Sequence, residues 1–344
     1  MEINKDIIKS IKIKPLLDTL QLEDISDDVY FSNKFKNYIS NSRLGKLIKE
    51  GAEAFFKNEP SPYNPSFEFG TLLHTMVLEP EDHEVIKDVF KPTAKAGLMA
   101  DALYKSDGTN PSNDEIKAQS YIIGYYKDKL TPTRIVEFRN KAELYWRDRY
   151  IYEQNNPFKE GDKKRIYTNE GNYNLLVECL KQLDSNVNIQ KLLHPEGITE
   201  EPYVANEHAI LMDVEIEIPE YESRIYHLKA KLDNFTIDRE SNVITVNDLK
   251  TTSRPLPYFD LEYFSYQREI AFYSFLLKLC AKKFFDLPSP EVKGNFLVVS
   301  TVPDYSTTIV PMTSKLYNQG WKEVTYLLKV VAYFNIVEGH EFCS

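Results

Sequence analysis

The spacing of hydrophobic and polar residues changes once along this chain of 344 residues, near position 201. Before that position, the pattern predicts short helices over 1–60, a helix from Ser66 to Glu79, and a charged, mostly helical stretch over 81–200. Beyond it, apolar and polar residues alternate, which is typical of strands because successive side chains point to opposite faces. The sequence therefore predicts a helical part followed by a sheet.

The predicted sheet is built from six segments, which cover 201–207, 209–218, 224–237, 243–250, 296–300 and 307–311. The turn at 238–242 joins the third and fourth segments into a hairpin, and the last two segments form a second strand pair. Two helices accompany them, one at about 262–282 after a proline-containing loop over 253–260, and an amphipathic one at about 314–336. Further loops are predicted at 60–65, 106–111, 155–157 and 160–162.

Composition excludes several classes of protein. Only 12 residues are glycine, and neither GxGxxG nor GxxxxGK[ST] occurs, which argues against a glycine-rich phosphate-binding fold. The three cysteines, Cys179, Cys280 and Cys343, are far apart and form no CxxC, so a disulfide framework, a zinc finger and an iron–sulfur site are unsupported. We expect two buried thiols and one in the C-terminal tail.

The net charge of −10 is opposite in sign to that of most nucleic-acid-binding proteins, whose phosphate contacts need Lys and Arg. A nuclease needs only a local basic channel, so the charge leaves that class open. The N-terminal residues 1–17 lack the apolar region of a signal peptide, and no run of ~18 apolar residues occurs that could form a membrane helix. We therefore expect an intracellular protein with no membrane partner.

The candidate chemistry centres on Lys229-Ala-Lys-Leu-Asp233 and Asp248-Leu-Lys250. In a hairpin the two aspartates can come close enough to share Mg²⁺, which prefers oxygen ligands, and the Leu249 carbonyl is available as a further ligand. Lys250 lies two residues after Asp248, so both side chains share a face and an ammonium lies beside the metal. There it can orient or deprotonate the attacking water, or stabilise transition-state charge. Taken alone, such a motif is more often a solvated edge pair.

Two helices flank this hairpin in the sequence and carry further candidates. His74 lies mid-helix in Phe69–Pro80, where a buried core histidine is the commoner interpretation, although a neutral imidazole also binds divalent metals. The helix that follows the hairpin carries Gln267, Arg268 and Glu269 near its start, where groups that face a phosphate would be useful. An ordinary helix with a Tyr/Phe core stripe is the alternative there.

Taken together, these motifs resemble the PD-(D/E)XK exonucleases related to RecE (exonuclease VIII) of phages and prophages, and more distantly RecB-type nucleases and lambda exonuclease. The segments that carry the resemblance are Ile39–Leu44 (I-S-x-S-x-L), Gly70–His74 with Leu78–Pro80 (G-T-x-x-H and L-E-P), Lys229–Asp233, Val246–Thr252 and the helix Arg268–Tyr273. One position departs from the family, because Glu269 stands where a glutamine usually precedes the helix tyrosine by four residues.

The resemblance implies an α/β (α+β) fold with a restriction-endonuclease-like core, in which helices flank a mixed central sheet. It also implies one continuous nuclease domain, divided into an N-terminal part over 1–80, a helical insertion or subdomain over 81–200, and the core over 201–344.

The resemblance further implies that His74, Asp233, Asp248 and the Leu249 carbonyl bind Mg²⁺, or Mn²⁺ in its place, and that Lys250 is the catalytic lysine. Other residues on or near its motifs are candidate substrate contacts: Ser40, Ser42, Glu201, Lys231, Thr251, Thr252, Gln267, Arg268, Glu269 and Tyr273. Helix capping is at least as good an interpretation of Ser40 and Ser42.

As function, the resemblance implies 5′-to-3′ resection of double-stranded DNA ends in recombination and repair, in the cytoplasm of a bacterial host. A single-strand annealing protein is the expected partner, and a ring of identical subunits is the expected assembly. Two alternatives stay open. One is an endonuclease of the same fold. The other is a non-catalytic DNA-binding or assembly protein, which the acidic charge and Glu269 would favour and which Asp233 and Lys250 argue against.

Overall fold

The computed structural model describes residues 4–58, 65–104, 131–195 and 203–343. The chain divides into two compact units, Met1–Pro60 with Gln182–Ser344, and Ser61–Lys181. In chain order the described elements are α1 (Lys5–Ser10), β1 (Lys12–Asp24), α2 (Asp27–Tyr30), α3 (Asn41–Lys57), α4 (Pro65–Leu78), β2 (His83–Ile86), α5 (Ala94–Tyr104), α6 (Pro132–Asn155), β3 (Lys164–Tyr167), α7 (Glu170–Ser185), α8 (Val187–Leu193), β4 (Tyr203–Glu217), β5 (Arg224–Asp238), β6 (Val243–Thr252), α9 (Tyr266–Phe284), β7 (Glu291–Ser300), β8 (Thr307–Pro311) and α10 (Ser314–Ala332).

The first unit is built on a six-stranded sheet in the order β1-β4-β5-β6-β7-β8. Neighbouring strands are antiparallel except β6 and β7, which are parallel and are connected through α9. The fold is therefore mixed α/β, with a central, mostly antiparallel sheet flanked by helices, which confirms the predicted fold class. The predicted hairpin, the strands that form β7 and β8, and the two C-terminal helices are also confirmed.

Two tight contacts fix α9 between the sheet and α10. A side chain at Gly294 of β7 would come within 2.5 Å of Ile270, and one at Gly320 of α10 would come within 2.1 Å of the Gln267 backbone. Glycine is needed at both positions because only a backbone without Cβ allows this approach. The packing places the first turn of α9 over the sheet.

The prediction of short helices with polar connections over residues 1–60 is wrong in one segment. Lys12–Asp24 is a 13-residue strand, β1, which lies at the edge of the sheet and pairs with β4. Its register shifts between Leu16 and Gln21, and it contains Pro15, a residue that edge strands tolerate because one row of their amides needs no partner. The partner strand lies about 200 residues away in sequence, as in the pair Lys12↔Glu217, so no local signal marks the pairing.

The prediction of two strands over 201–218 is also corrected, because Tyr203–Glu217 is one strand. Glu207 has a φ of 53° in the middle of it, a left-handed conformation that is uncommon for a residue other than glycine. The polar run Asn206–His208 therefore marks a local irregularity rather than a turn.

The second unit contains a small sheet that the sequence did not predict, in which β2 and β3 pair in parallel over His83↔Lys164 to Ile86↔Tyr167. Helices α5 and α6 pack on each other through Met99, Ala142 and Tyr145. Helix α4 confirms the helix predicted from Ser66 to Glu79. The predicted loop at 106–111 and all but the last residue of the loop at 60–65 lie outside the described residues.

The compact units divide the chain after Pro60 and after Lys181, and the predicted subdivisions at 80 and 200 stay a prediction. Cys179 and Cys280 are buried and Cys343 is exposed, and all three are free thiols, as expected. Among the described residues, every helix is too short or too polar to cross a lipid bilayer.

Candidate active site

The central sheet opens between β5 and β6 at the two predicted aspartates. The two strands pair from Asp238↔Val243 to Asn234↔Asn247, and in the described residues the pairing stops there. Beyond that point β5 stays with β4, while β6 continues beside β7 as far as Thr252↔Ser300. Asp233 and Asp248 are the first residues past the last pair, one on each arm of the opening. We call this opening the fork.

Hydrogen bonding at the fork uses the side chain of Asp233 in place of a strand partner. Its Oδ2 accepts a hydrogen bond from the backbone N–H of Leu249 at 2.8 Å. One carboxylate therefore satisfies a ladder amide that lost its partner where the strands separate, and it is held against β6. Leu249 is buried, and its carbonyl stays a predicted metal ligand.

Lys250 lies in the fork between two carboxylates. Its Nζ is 2.6 Å from Asp248 Oδ2 and 3.2 Å from Glu269 Oε2, which the first turn of α9 supplies. Tyr273, one turn further along α9, donates its hydroxyl to Glu269 Oε1 at 3.1 Å. The structure thus brings together Asp233, Asp248, Lys250, Glu269 and Tyr273, all of which the sequence had named. The position that departs from the family, Glu269, contacts the candidate catalytic lysine directly.

The electrostatics of the fork are those of an acidic, buried cluster. Burial raises the pKa of Asp248 well above its usual range; Lys250 opposes this, while Glu269 and Asp233 add to it. Burial by itself would lower the pKa of Lys250, but the charges of Asp248, Glu269 and Asp233 together hold it well above its usual value. Three carboxylates thus surround one ammonium, so a second positive charge would relieve their repulsion.

Glu207 is a fourth acidic residue at the fork, which the sequence reasoning missed. The register Asn206↔Asn234 and His208↔Leu232 sets Glu207 directly across from Asp233, and carboxylate oxygens of the two lie within 4.8 Å of each other. The sequence had proposed Glu201, which lies outside the described residues. The run Ala-Asn-Glu-His, polar in the middle of an apolar strand, is the signal that could have found Glu207.

Lys231 is held by two acidic residues beside the fork. Its Nζ lies 2.6 Å from Asp27 Oδ1 of α2 and 3.1 Å from Glu207 Oε2. Because Lys231 and Asp233 are two residues apart on β5, both side chains lie on the face that carries the fork.

Gln267 and Arg268 are buried inside the first unit. Arg268 donates from Nε to Asn41 Oδ1 of α3 at 2.8 Å, and its Nη1 lies 2.7 Å from Glu323 Oε1 of α10. These bonds connect three helices, so the structure gives Arg268 a packing role, and its contact with a substrate stays a prediction.

The remaining predicted site residues are Ser40, Ser42, Thr251, Thr252 and His74. Ser40 is the N-cap of α3, where its Oγ accepts from the Arg43 N–H at 3.3 Å and lies 2.9 Å from Ser42 Oγ. This confirms the capping interpretation of Ser40. Thr252 is buried and accepts from the Arg254 N–H at 3.1 Å, and Thr251 beside it is half-buried. His74 is half-buried on α4 in the second unit.

The donors at the fork fit a hard divalent cation. They are carboxylate oxygens from β4, β5 and β6, the ligand type that Mg²⁺ and Mn²⁺ prefer. Asp248 Oδ2 is buried and lacks a partner with hydrogen-bond geometry, although Lys250 lies against it. A metal bound there would share this oxygen with Lys250 or displace its ammonium.

No family model matches the sequence, and no curated protein matches it either. Among solved structures, the chain is similar to the crystal structure of a "Putative exonuclease" from Eubacterium rectale, with a TM-score of 0.46 and 10% sequence identity, over 90% of this chain and 86% of the other. A TM-score below 0.5 supports no conclusion about activity, which depends on the side chains at the fork.

Proposed function

We propose that this chain is a metal-dependent deoxyribonuclease of the PD-(D/E)XK type, and that it degrades double-stranded DNA from its ends as the RecE-related exonucleases do. The observation that carries the proposal is the fork, where Asp233 and Asp248 stand on separating strands and Lys250 lies 2.6 Å from Asp248. Metal-dependent hydrolysis of a phosphodiester uses a hard cation beside a fixed positive charge, and the fork has residues suited to both roles.

Asp233, Asp248 and the Leu249 carbonyl would hold Mg²⁺, with Glu207 within reach of Asp233 and Mn²⁺ as a substitute. The metal would supply Lewis-acid polarisation of a phosphate oxygen. His74 stays a predicted additional ligand. The buried carboxylates also exclude other anions from the fork, so a phosphate would enter only together with a cation.

Lys250 acts in this proposal as a positioned ammonium. Its raised pKa, caused by the carboxylates that outweigh burial, keeps it protonated at neutral pH. A protonated lysine donates hydrogen bonds to the attacking water or to an oxygen of the transition state, and it does not remove a proton. A cation bound by the same carboxylates would lower the pKa of Lys250 again, so orientation, charge stabilisation and general-base catalysis all stay candidate roles.

The finer properties of the proposal rest on the motifs that resemble the RecE-related family. They are 5′-to-3′ polarity, a role in phage or prophage recombination and repair, a single-strand annealing protein as partner, and a ring of identical subunits. A ring would concentrate basic side chains around the DNA, which would explain how a chain with net charge −10 binds it.

The test is digestion of linear and covalently closed circular double-stranded DNA in Mg²⁺, with wild type beside Lys250→Ala. We expect loss of linear DNA only, and no loss with the variant. Lys293→Ala is the matched control, since Lys293 is exposed on β7 of the same sheet. The Lys293→Ala variant should digest linear DNA as fast as wild type does.

Each alternative corresponds to a different outcome of the digestion. Cutting of the closed circle would favour an endonuclease of the same fold. Absence of cutting with both Mg²⁺ and Mn²⁺ would favour a non-catalytic DNA-binding or assembly protein. Cutting that persists in Lys250→Ala would remove Lys250 from the mechanism.

A further inference from the structure

A loop rich in exposed aromatic residues connects the fork to α9. It covers residues 253–265, between the end of β6 and the first residue of α9, and we call it the aromatic loop. Three of its rings are exposed, with relative accessibilities of 70% for Tyr258, 68% for Tyr263 and 43% for Phe264. Contiguous exposed apolar surface marks an interaction site more often than scattered side chains do, and Tyr263 and Phe264 are in contact.

The exposed rings are connected to Lys250 through a chain of aromatic contacts. Lys250 Nζ lies 5.1 Å from the ring centre of Tyr266, the first residue of α9. Tyr266 stacks on Phe264, with ring centres 5.2 Å apart and planes inclined by 23°. Phe264 in turn meets Tyr263 edge to face at 4.9 Å. The aromatic surface therefore begins beside the fork and ends in solvent.

The inner end of this surface is anchored in the core, so the rings do not depend on the loop alone for their position. Tyr266 lies 5.7 Å from the buried Phe296 of β7 and stacks on Phe259 at 5.8 Å. Asp260 Oδ1 accepts from the N–H groups of Glu262 and Tyr263, which fixes the turn before the exposed rings. A prearranged aromatic surface loses little entropy when a flat ligand stacks on it.

One cation of the loop, Arg254, lies against the exposed rings. The Arg254 guanidinium lies 5.4 Å from the ring centre of Tyr263 and 6.0 Å from that of Phe264. Asp260 and Glu262 make the net charge of the loop −1, so the positive charge is local to the two rings beside Arg254. A cation over aromatic rings is the combination with which proteins bind single-stranded nucleic acid, because the bases stack and the phosphates pair with the cation.

We propose that the aromatic loop is a stacking site for an unpaired nucleobase at the DNA end, with Tyr263 and Phe264 as the stacking rings and Arg254 as the neighbouring phosphate contact. The inference rests on the proposed nuclease function, and it extends that function to a preferred substrate, an end whose terminal bases are unpaired. Lys250 contacts the ring of Tyr266, and Tyr266 stacks on Phe264. A base stacked on Phe264 would therefore lie close to the phosphate that is to be cut.

The experiment measures binding of the full chain to a duplex with a short unpaired end, with Ca²⁺ in place of Mg²⁺ to suppress cutting. One probe carries a fluorescent adenine analogue in the unpaired end, and a second probe carries abasic sites there. Wild type should bind the first roughly 5- to 100-fold more tightly, the range that one stacked base contributes, and should quench its fluorescence. The variant Tyr263→Leu/Phe264→Leu should bind both probes equally, without quenching.

Tyr326→Leu is the matched control, because Tyr326 is half exposed on α10 and far from the loop in sequence. It should keep the preference for the base-bearing end. Leucine retains apolar bulk at all three positions, and Tyr263 and Phe264 lie at the surface, so the loop variant should fold. Its thermal unfolding, measured in parallel, should match that of wild type.

The proposal is overturned if wild type binds both probes equally, binds no DNA, or keeps its preference in the loop variant. A loop variant that changes only self-association would assign the rings to a protein contact instead. Failure of the stacking site can be distinguished from failure of the nuclease proposal. A base preference without any cutting in Mg²⁺ would support the stacking site and refute the nuclease, and cutting that requires Lys250 without a base preference would do the reverse.

Discussion

The two faces of the central sheet differ sharply at the level of the fork. Adjacent residues on β4, β5 and β6 are an asparagine and an acid, and they point to opposite faces. One face carries the asparagines and the other carries the acids; the pairs are Asn206 and Glu207, Asn234 and Asp233, and Asn247 and Asp248. The same three strands therefore present two chemically similar rows whose hydrogen bonding is different.

The side chains of the asparagine row are hydrogen-bonded to one another. Asn234 donates to Asn206 at 2.8 Å, Asn247 donates to Asn234 at 2.7 Å, and Asn295 of β7 donates to Asn247 at 2.9 Å. Asn247 also donates to the carbonyl of Leu192 at 3.2 Å. Each amide supplies both a donor and an acceptor, so buried side chains can be satisfied across four strands without any net charge.

The acidic row cannot be matched in this way, because carboxylates only accept hydrogen bonds when ionised. Asp233 uses one backbone amide, Asp248 faces Lys250, and the repulsion among Asp233, Asp248 and Glu269 contributes to the raised pKa of Asp248. The same strands can therefore hold a row of buried polar side chains whose hydrogen bonds are made to one another. The acidic face departs from this solution, as we expect of a face selected for a function other than stability.

The largest expected effect is on activity, from Asp248→Asn, which gives the acidic row an amide like that of its neighbour. We expect cleavage of linear DNA to fall by about 100- to 1,000-fold or more, because a charge at the reacting phosphate is lost. The melting temperature should stay the same or rise, since a carboxylate that burial disfavours is removed. Digestion rates and thermal unfolding are the measurements. The control is Asp286→Asn, a substitution of the same kind at an exposed position, which should leave both unchanged. A large fall in melting temperature would contradict the comparison.

The next largest effect concerns Lys229, which lies four residues before Asp233 on the same face of β5. Burial, and secondarily the charge of Arg43, lowers the pKa of Lys229 to about 8. Its Nζ donates to the Tyr30 carbonyl at 2.8 Å and lies 4.2 Å from the centre of the Tyr30 ring. The unfolded chain binds this proton more tightly than the folded one, so between pH 8 and the ordinary value of 10.5 stability rises with pH.

The measurement for Lys229 is the free energy of unfolding from pH 7 to pH 10.5, compared between wild type and Lys229→Met. The difference should change by up to about 3 kcal/mol across that window, with the variant relatively more stable at the acidic end. Lys293→Met, on the exposed side of β7, should follow wild type. Parallel curves for wild type and Lys229→Met would mean that Lys229 is not desolvated in the folded protein.

A third prediction reverses the first, by giving the asparagine row a carboxylate through Asn247→Asp. The new charge would be buried beside the Asn234 carbonyl oxygen, which now accepts from Asn247. We expect a loss of about 2–4 kcal/mol of stability at pH 7, and part of it should return at acidic pH as the carboxyl becomes protonated. Denaturant unfolding at two pH values checks this. An unchanged midpoint would show that the two faces tolerate charge equally.

The hairpin that carries the site could be predicted from sequence because its residues are close together along the chain. Asp233, Asp248 and Lys250 lie on strands joined by a short turn, so alternation and the turn fix which side chains meet. What the sequence missed depends on pairings between distant segments. The strand β1 pairs with residues about 200 positions later, and β2 pairs with residues about 80 positions later.

Two features of the site itself also depended on tertiary structure. Glu269 could be recognised as a departure from the family motif, but its contact with Lys250 requires the packing of α9 on the sheet, which the close approach at Gly294 sets. Glu207 itself has the left-handed backbone conformation that interrupts β4. Alternation predicts the face of a residue only where the strand is regular, so the sequence divided this strand in two and passed over the acid.

The smallest expected effect tests whether Glu207 belongs to the acidic row in function as well as in position. Glu207→Gln should lower the affinity for Mn²⁺ about 10-fold, because one anionic oxygen near Asp233 becomes an amide. Calorimetric titration of Mn²⁺ without DNA gives the affinity directly, and Glu217→Gln, exposed at the end of the same strand, is the control. Glu207 also contacts Lys231 at 3.1 Å, so it has a competing structural role. If Lys231→Met lowers the affinity as much as Glu207→Gln does, Glu207 acts by ordering the fork rather than by binding the metal.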